Sequence, residues 1–334
     1  MNDVLKSEFM QVIEKTQLLL NSNSEWRERY AGYAEKIRHN SHFIENVRRS
    51  FREWSPLYVY LNITSAKAAK HSVGFELRYM GQTVANLKGN KDKKHKLSTT
   101  KKLEKTNRRD FDCNMCLLSV DWDGYEAKQF RNHFKNWTGA RKADSNKRNE
   151  EHRLQSLLLT EFSKTRSKAL PHIKPVTIGR VRFPMPTPLS ASYHKDIKYS
   201  RQHGGGIDIL TRTGTGGKAT RLCIMELKDE NKKSESPKEV MKQALAYTTF
   251  IRELLRSDSG PAWWKIFGFG GNIPEPLELS AACVMPSNSN NDYSFRDMEL
   301  NIEMDVIKLH YLYFTEENNK ITIKPGEKTL TVTE

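Results

Sequence analysis

Apolar positions recur along this chain at two spacings, and the switches between them mark out helices and strands. In residues 2–20, Leu5, Phe9, Val12, Ile13 and Leu20 lie three, four and seven apart, the period of one helix face. A second helix is expected over 24–53, where Trp26, Tyr30, Tyr33, Ile37 and Phe43 stand among many charges; Ser55-Pro56 ends it, because a residue before proline is kept out of the helical region. Residues 57–63, 73–79 and 83–87 read as strands, the last two joined at Met80-Gly81-Gln82, with a further strand at 116–122 and a helix at 126–137. Helical spacing returns in 149–162, where Leu154, Leu158 and Phe162 share a face, and in 239–255, with Val240, Leu245, Phe250, Ile251, Leu254 and Leu255. Residues 277–285 and 306–314 read as later strands of a central sheet, and 321–332 as a terminal hairpin.

Two apolar stretches carry charge where strands ordinarily do not. Ile207, Ile209 and Leu210 surround Asp208, while Leu222, Ile224, Met225 and Leu227 surround Glu226 and Lys228. Side chains alternate along a strand, so Glu226 and Lys228 share one face and Leu227 takes the other. The connection 211–221 is rich in Gly and Thr, as an antiparallel turn requires, and a hairpin here sets Asp208 close to Glu226. Gln243 and Tyr247, four apart on the following helix, are neighbours on its surface.

Two readings compete for this cluster. In one, the carboxylates pair with Lys228 and nothing is bound, which relieves the cost of burying charge. In the other, Asp208 and Glu226 hold a divalent cation through hard oxygen atoms, with the Leu227 carbonyl as a third ligand. Lys228 then lies beside the attacking water, orienting it and favouring hydroxide electrostatically. That is the residue set needed for phosphodiester hydrolysis.

The series Asp208, then Glu226-Leu227-Lys228, then Gln243-x-x-x-Tyr247 resembles the restriction-endonuclease-like superfamily of PD-(D/E)xK nucleases, in its branch with a Gln-x-x-x-Tyr helix. The resemblance covers about residues 149–315; Ile207 stands where the family often has proline. It implies an α/β fold with a mixed central sheet flanked by helices, and a Mg²⁺ cofactor for which Mn²⁺ can substitute. It also implies metal binding by Asp208 and Glu226, action of Lys228 on the water, and support from Gln243 and Tyr247. An acidic residue on the helix before the first strand is implied as well. Glu151, on the buried side of that helix, is the candidate, with Glu150 and Glu161 as alternatives; an acid in a first helical turn also complements the helix dipole. The expected activity is that of a Mg²⁺-dependent deoxyribonuclease, in restriction, phage defence or repair. Non-cleaving nucleic-acid binding on a nuclease scaffold, or a nuclease subunit of a larger complex, are the alternatives.

Charge changes the picture of the partner. With 55 basic and 40 acidic residues the chain carries +15, the balance of a polyanion binder, and DNA is expected ahead of RNA. The excess concentrates in 88–109, read as a mobile loop or basic arm, in which Lys93, Lys94, Lys96, Lys101, Lys102, Arg108 and Arg109 are candidate phosphate contacts; Lys242 is another. Length suggests two domains, an α+β module at 1–140 for recognition or assembly and a nuclease domain at 149–334. A homodimer or a partner subunit is compatible with that plan. Trp263 and Trp264 either stack on bases or pack over the core. Cys113-x-x-Cys116 with His133 beyond lacks the second pair a zinc site needs, and Arg212 and Ala219 break the pattern of a nucleotide-binding P-loop. His203, just before the glycines, is read as a turn residue. Four cysteines without a framework pattern and no long apolar run lead to the expectation of a cytoplasmic protein without a membrane span, associated with the nucleoid when bound.

Overall fold

The computed structural model describes residues 2–50, 56–64, 73–89, 95–139, 147–164, 173–192, 195–201, 204–214, 221–229, 235–287 and 291–323. They form two units, one of residues 1–34, 157–176 and 184–334, the other of residues 35–156 and 177–183. The division expected from sequence, 1–140 and 149–334, differs from this at the amino terminus. Helix α1 (Asn2–Ser22) packs on helix α7 (Pro237–Arg256), with Glu8 bonded to Lys238 and Gln17 to Glu253, so the first 34 residues belong with the carboxyl-terminal half.

In the first unit a mixed sheet has the order β16-β17-β15-β14-β13-β6, with β18 also on β17. Its strands are β6 (Lys174–Pro175), β13 (Ile209–Thr213), β14 (Arg221–Leu227), β15 (Glu278–Pro286), β16 (Glu299–Ile302), β17 (Asp305–Glu317) and β18 (Lys320–Ile323). The pairs β14–β15 and β15–β17 are parallel and the others antiparallel. The central strands are nearly continuous apolar runs because both of their faces are covered. Helix α7 lies on β14 and β15 and is buried along most of its length, with its charged residues Lys238, Lys242, Arg252 and Arg256 held in ion pairs. Ser236 caps it, accepting the Glu239 N–H, and Pro237 supplies a preset first turn. Phe250 of α7 makes edge contacts with Trp26 and Tyr30 of helix α2 (Glu25–His39), and Trp263 of helix α8 (Gly260–Ile266) completes the group. Both tryptophans of α8 therefore pack inside, Trp264 stacking on Phe269 at 3.9 Å. Two small antiparallel pairs stand apart from the sheet, β9 (Pro186–Thr187) with β12 (Gly205–Gly206) and β10 (Leu189–Ser192) with β11 (Lys195–Tyr199).

The second unit holds a sheet of order β5-β4-β3-β2-β1-β8-β7, antiparallel except for β1 with β8. These strands are β1 (Leu57–Asn62), β2 (Gly74–Tyr79), β3 (Gln82–Gly89), β4 (His95–Ser98), β5 (Val120–Asp121), β7 (Thr177–Ile178) and β8 (Val181–Arg182). Its helices are α3 (Ser41–Ser50), α4 (Lys101–Phe111), α5 (Tyr125–Asn136) and the first ten residues of α6 (Lys147–Phe162). The β2–β3 turn needs glycine at Gly81 twice over: φ is +77°, and a Cβ there would lie 2.0 Å from the His152 carbonyl oxygen.

Three expectations from sequence are corrected here. The helix expected over 24–53 is two, because Asn40 returns its side-chain amide to the Lys36 carbonyl and ends α2. The strand expected over 116–122 shrinks to Val120–Asp121, since Ser119 takes φ of +54°. In the basic stretch 88–109, the described residues 88–89 and 95–109 are mostly regular structure rather than loop, and 90–94 lie outside the described residues. Its described residues form the end of β3, the strand β4 and most of α4, a helix capped by Thr100 through the Leu103 N–H. Among the described residues there are eight helices, and none is long and apolar enough to cross a membrane.

Candidate active site

The hairpin of β13 and β14 is built as the apolar pattern requires, with Ile209 opposite Met225 and Thr213 opposite Arg221. Asp208 sits one residue ahead of β13, on a bend rather than inside a strand. Its side chain replaces the ladder there: Oδ2 accepts the Leu227 N–H at 2.9 Å. The carboxylate that precedes one strand is thus fixed against the strand bearing Glu226.

Glu226 is buried near the end of β14, and Lys228, one residue past it, is buried too. Lys228 N–H continues the parallel ladder to the Val284 carbonyl, which holds its backbone extended. Two residues apart on extended backbone, the side chains share a face, and Lys228 Nζ donates to Glu226 Oε1 at 3.0 Å. A third carboxylate, absent from the set expected from sequence, joins them. Glu235 is buried, with Oε2 3.8 Å from Lys228 Nζ and 3.5 Å from Gln243 Nε2. Among the described residues, Glu226 and Glu235 thus both approach Lys228, and Gln243 approaches Glu235.

Gln243 and Tyr247 arrive on the buried face of α7. The Tyr247 hydroxyl donates to the Ala191 carbonyl at 3.2 Å and accepts the Ala191 N–H at 3.4 Å, which fixes it against β10. Burial raises the pKa of its phenol well above the usual tyrosine range, and the charges of Glu226 and then Asp208 raise it further, with Lys228 opposing. Those charges converge on the same hydroxyl, so Asp208, Glu226, Lys228 and Tyr247 form one electrostatic neighbourhood.

Glu151 is half-buried on the part of α6 that belongs to the second unit, whereas the residues above all belong to the first. Its alternatives are engaged locally, Glu150 with Arg153 at 2.5 Å and Glu161 with Lys164. Lys242 is paired with Glu239 at 2.8 Å and with Glu8 at 3.3 Å; burial opposes its charge, but these carboxylates outweigh that and raise its pKa. Lys96 is paired with Asp121 at 2.7 Å and Arg109 with Asp110 at 2.6 Å. Lys101, Lys102 and Arg108 are exposed on α4, while Lys93, Lys94 and His203 lie outside the described residues. His133 hydrogen-bonds the Phe111 carbonyl at 2.8 Å.

The donors suit a small hard cation. Among the described residues no three His, Cys, Asp or Glu side chains are gathered as a metal cage. Mg²⁺ does not need one, since it is commonly held by one or two carboxylates and completes its shell with water and substrate phosphate. Asp208 and Glu226 are the two carboxylates here that could hold such an ion.

Glu235 was hidden in the sequence because it stands in the polar stretch 230–239 with no apolar neighbour to mark it as buried. The signal that could have found it was Ser236-Pro237: a cap and a first-turn proline fix where α7 begins and turn the preceding residue back over the helix start. The chain matches no family model, no curated protein and no solved structure.

Proposed function

We propose that this protein is a Mg²⁺-dependent nuclease that hydrolyses phosphodiester bonds of DNA, and that the unit bearing Asp208 is a restriction-endonuclease-like core. The observation that carries this reading is the convergence of Asp208 and Glu226 from paired strands, with Lys228 Nζ 3.0 Å from Glu226.

In this reading Asp208 and Glu226 would hold the metal, with the Leu227 carbonyl as a third oxygen ligand. When bound, Mg²⁺ supplies Lewis-acid polarisation of the phosphate and lowers the pKa of water. The chain's own residues position the reaction. As an ammonium, Lys228 offers three donors and no acceptor, so it orients the attacking water and stabilises charge growing on the phosphoryl oxygens. Glu226 and Glu235 hold Lys228 from two sides, and Gln243 fixes Glu235. Tyr247 stays protonated and fixes the neighbouring β10 backbone at Ala191. Water oxygen attacks phosphorus, one ester P–O bond breaks, and the products are a phosphate monoester and a hydroxyl terminus.

The test is a substrate panel of linear, nicked, circular and single-stranded DNA with RNA beside them, in Mg²⁺, Mn²⁺ or EDTA. Metal-dependent cleavage of at least one DNA form, lost in Asp208→Ala, is expected; cleavage that persists in EDTA contradicts the reading.

A further inference from the structure

Helix α4 carries five basic and two acidic side chains in eleven residues, and the structure sorts them by face. Asn107, Asp110 and Phe111 are buried: Asn107 Nδ2 donates to the Val84 carbonyl of β3 at 2.9 Å, and Phe111 packs on Tyr79 and Phe134. At 3.6 residues per turn, Lys101, Lys102, Lys105, Arg108 and Arg109 fall within an arc of about 120° on the opposite side. All five are exposed. Lys101, Lys102, Lys105 and Arg108 make no ion pair among the described residues, whereas Lys96 and Arg109 are engaged with Asp121 and Asp110. Of the acids on this helix, Asp110 is buried and bonds the neighbouring Arg109, and Glu104 accepts a hydrogen bond from the Thr99 hydroxyl at 2.9 Å, so neither pairs with Lys101, Lys102, Lys105 or Arg108 among the described residues.

A second feature lies at the amino-terminal end of this helix. Leu118 is 85% exposed, although Leu117 beside it is buried. The bend that presents it is pinned on both sides. Leu117 N–H donates to Thr99 Oγ1 at 2.8 Å and Ser119 N–H to Ser98 Oγ at 2.8 Å, while Thr99 N–H donates to the Leu117 carbonyl at 2.7 Å. Ser119 adopts φ of +54° to complete the turn. An apolar side chain is thereby held out in water, next to the cap residue Thr100.

We infer that the outer face of α4, with Leu118 at its end, is a docking surface for the sugar-phosphate backbone of duplex DNA. The inference rests on the nucleic-acid reading above. From Lys101 to Arg108 the helix rises about 10 Å, close to three base-pair steps at about 3.4 Å each. The stripe Lys101, Lys105 and Arg108 recurs at four and three residues, so its three cations lie within the span of four phosphates along one strand. Single-strand binders pair their charge with aromatic platforms for the bases. The exposed face of α4 carries no aromatic residue, so a duplex fits it better. Leu118 supplies an apolar surface for sugar at the end of the row.

The experiment is fluorescence anisotropy of the full chain with a labelled 30-base-pair duplex in EDTA, across a series of salt concentrations. In the variant K101Q/K105Q/R108Q the slope of log K against log salt falls in magnitude by about 2.7, at about 0.9 for each phosphate no longer neutralised. The variant K101R/K105R keeps the wild-type slope. Leu118→Ala weakens binding about tenfold at every salt concentration with the slope unchanged, as removal of an apolar group from a buried interface does. Circular dichroism verifies that each variant is folded. A wild-type slope in K101Q/K105Q/R108Q overturns the assignment, as does absence of duplex binding by the wild type. Duplex binding in EDTA with the predicted salt slopes, but no Mg²⁺-dependent cleavage by the wild type, would overturn the nuclease reading alone, so failure of the docking surface and failure of that reading give different results.

Discussion

Asp208 Oδ2 accepts the backbone N–H of Leu227 at 2.9 Å, so one carboxylate both ends a strand ladder and faces Glu226 from the paired strand. The two roles separate by substitution. Asp208→Asn keeps an oxygen acceptor for Leu227 but removes the charge; it is expected to unfold near wild-type denaturant concentrations and to lose cleavage. Asp208→Ala leaves that N–H without its acceptor, at a cost of about 1–3 kcal/mol. Urea unfolding of the two variants measures the difference.

Tyr247 bridges to Ala191 through both a donated and an accepted hydrogen bond. Tyr247→Phe keeps the ring buried and removes both bonds, which predicts a loss of about 1–3 kcal/mol. Because the phenol pKa is raised, tyrosinate does not form in the working pH range. Replacing Tyr247 therefore leaves the alkaline limb of the pH–rate profile where it is, and a shift of that limb in Tyr247→Phe contradicts this role.

Asp305 is buried between two arginines, with Arg252 Nε at 2.8 Å and Arg256 also bonded to it, and it accepts the Leu277 N–H at 2.9 Å. Burial alone raises a carboxyl pKa, but bonds from Arg256, Leu277 and Arg252 outweigh it and leave the Asp305 pKa lowered. A depressed carboxyl pKa contributes stability above its unfolded value, near 3.9, and loses it as pH falls through the folded one. Asp305→Asn should cost about 3–5 kcal/mol at neutral pH, with the deficit shrinking in acid. Denaturant titrations at pH 7 and pH 3 test this.

His310 makes stability fall with pH in the same direction, over a higher window. Burial, and then the charge of Lys308, depress its imidazole to about 4, and its Nε2 lies 3.1 Å from Ser280 Oγ. Above about pH 6.5 both folded and unfolded states are neutral. Between there and about 4 only the unfolded state binds the proton, so stability falls as pH falls. His310→Gln keeps a hydrogen-bonding group toward Ser280 and is expected to flatten the pH dependence of the urea midpoint across that window.

The strands and helices that were legible in the sequence are those whose burial is written as a period. Ile209, Leu210, Leu222, Ile224 and Met225 mark the β13–β14 hairpin, and the spacing of Val240 to Leu255 marks α7, so the positions of Glu226, Lys228, Gln243 and Tyr247 followed. Helix α4 was missed because its buried stripe is only Asn107, Asp110 and Phe111, with Leu103 half-buried. Asparagine and aspartate inside a lysine run do not read as a packed face, although Thr100 was a visible cap. The packing of residues 1–34 with α7 is a long-range choice made by Glu8, Gln17 and Trp26 against partners more than 220 residues away. No local pattern contains it.

The most direct measurement is the rate of supercoiled plasmid cleavage in Mg²⁺ by wild type, Asp208→Asn and Lys228→Ala, each verified as folded by its denaturation midpoint. The account predicts cleavage that requires Mg²⁺, with losses of about 100-fold or more in both variants, the scale of removing one electrostatic group from a phosphoryl site. Folded Asp208→Asn that cuts at the wild-type rate would contradict it.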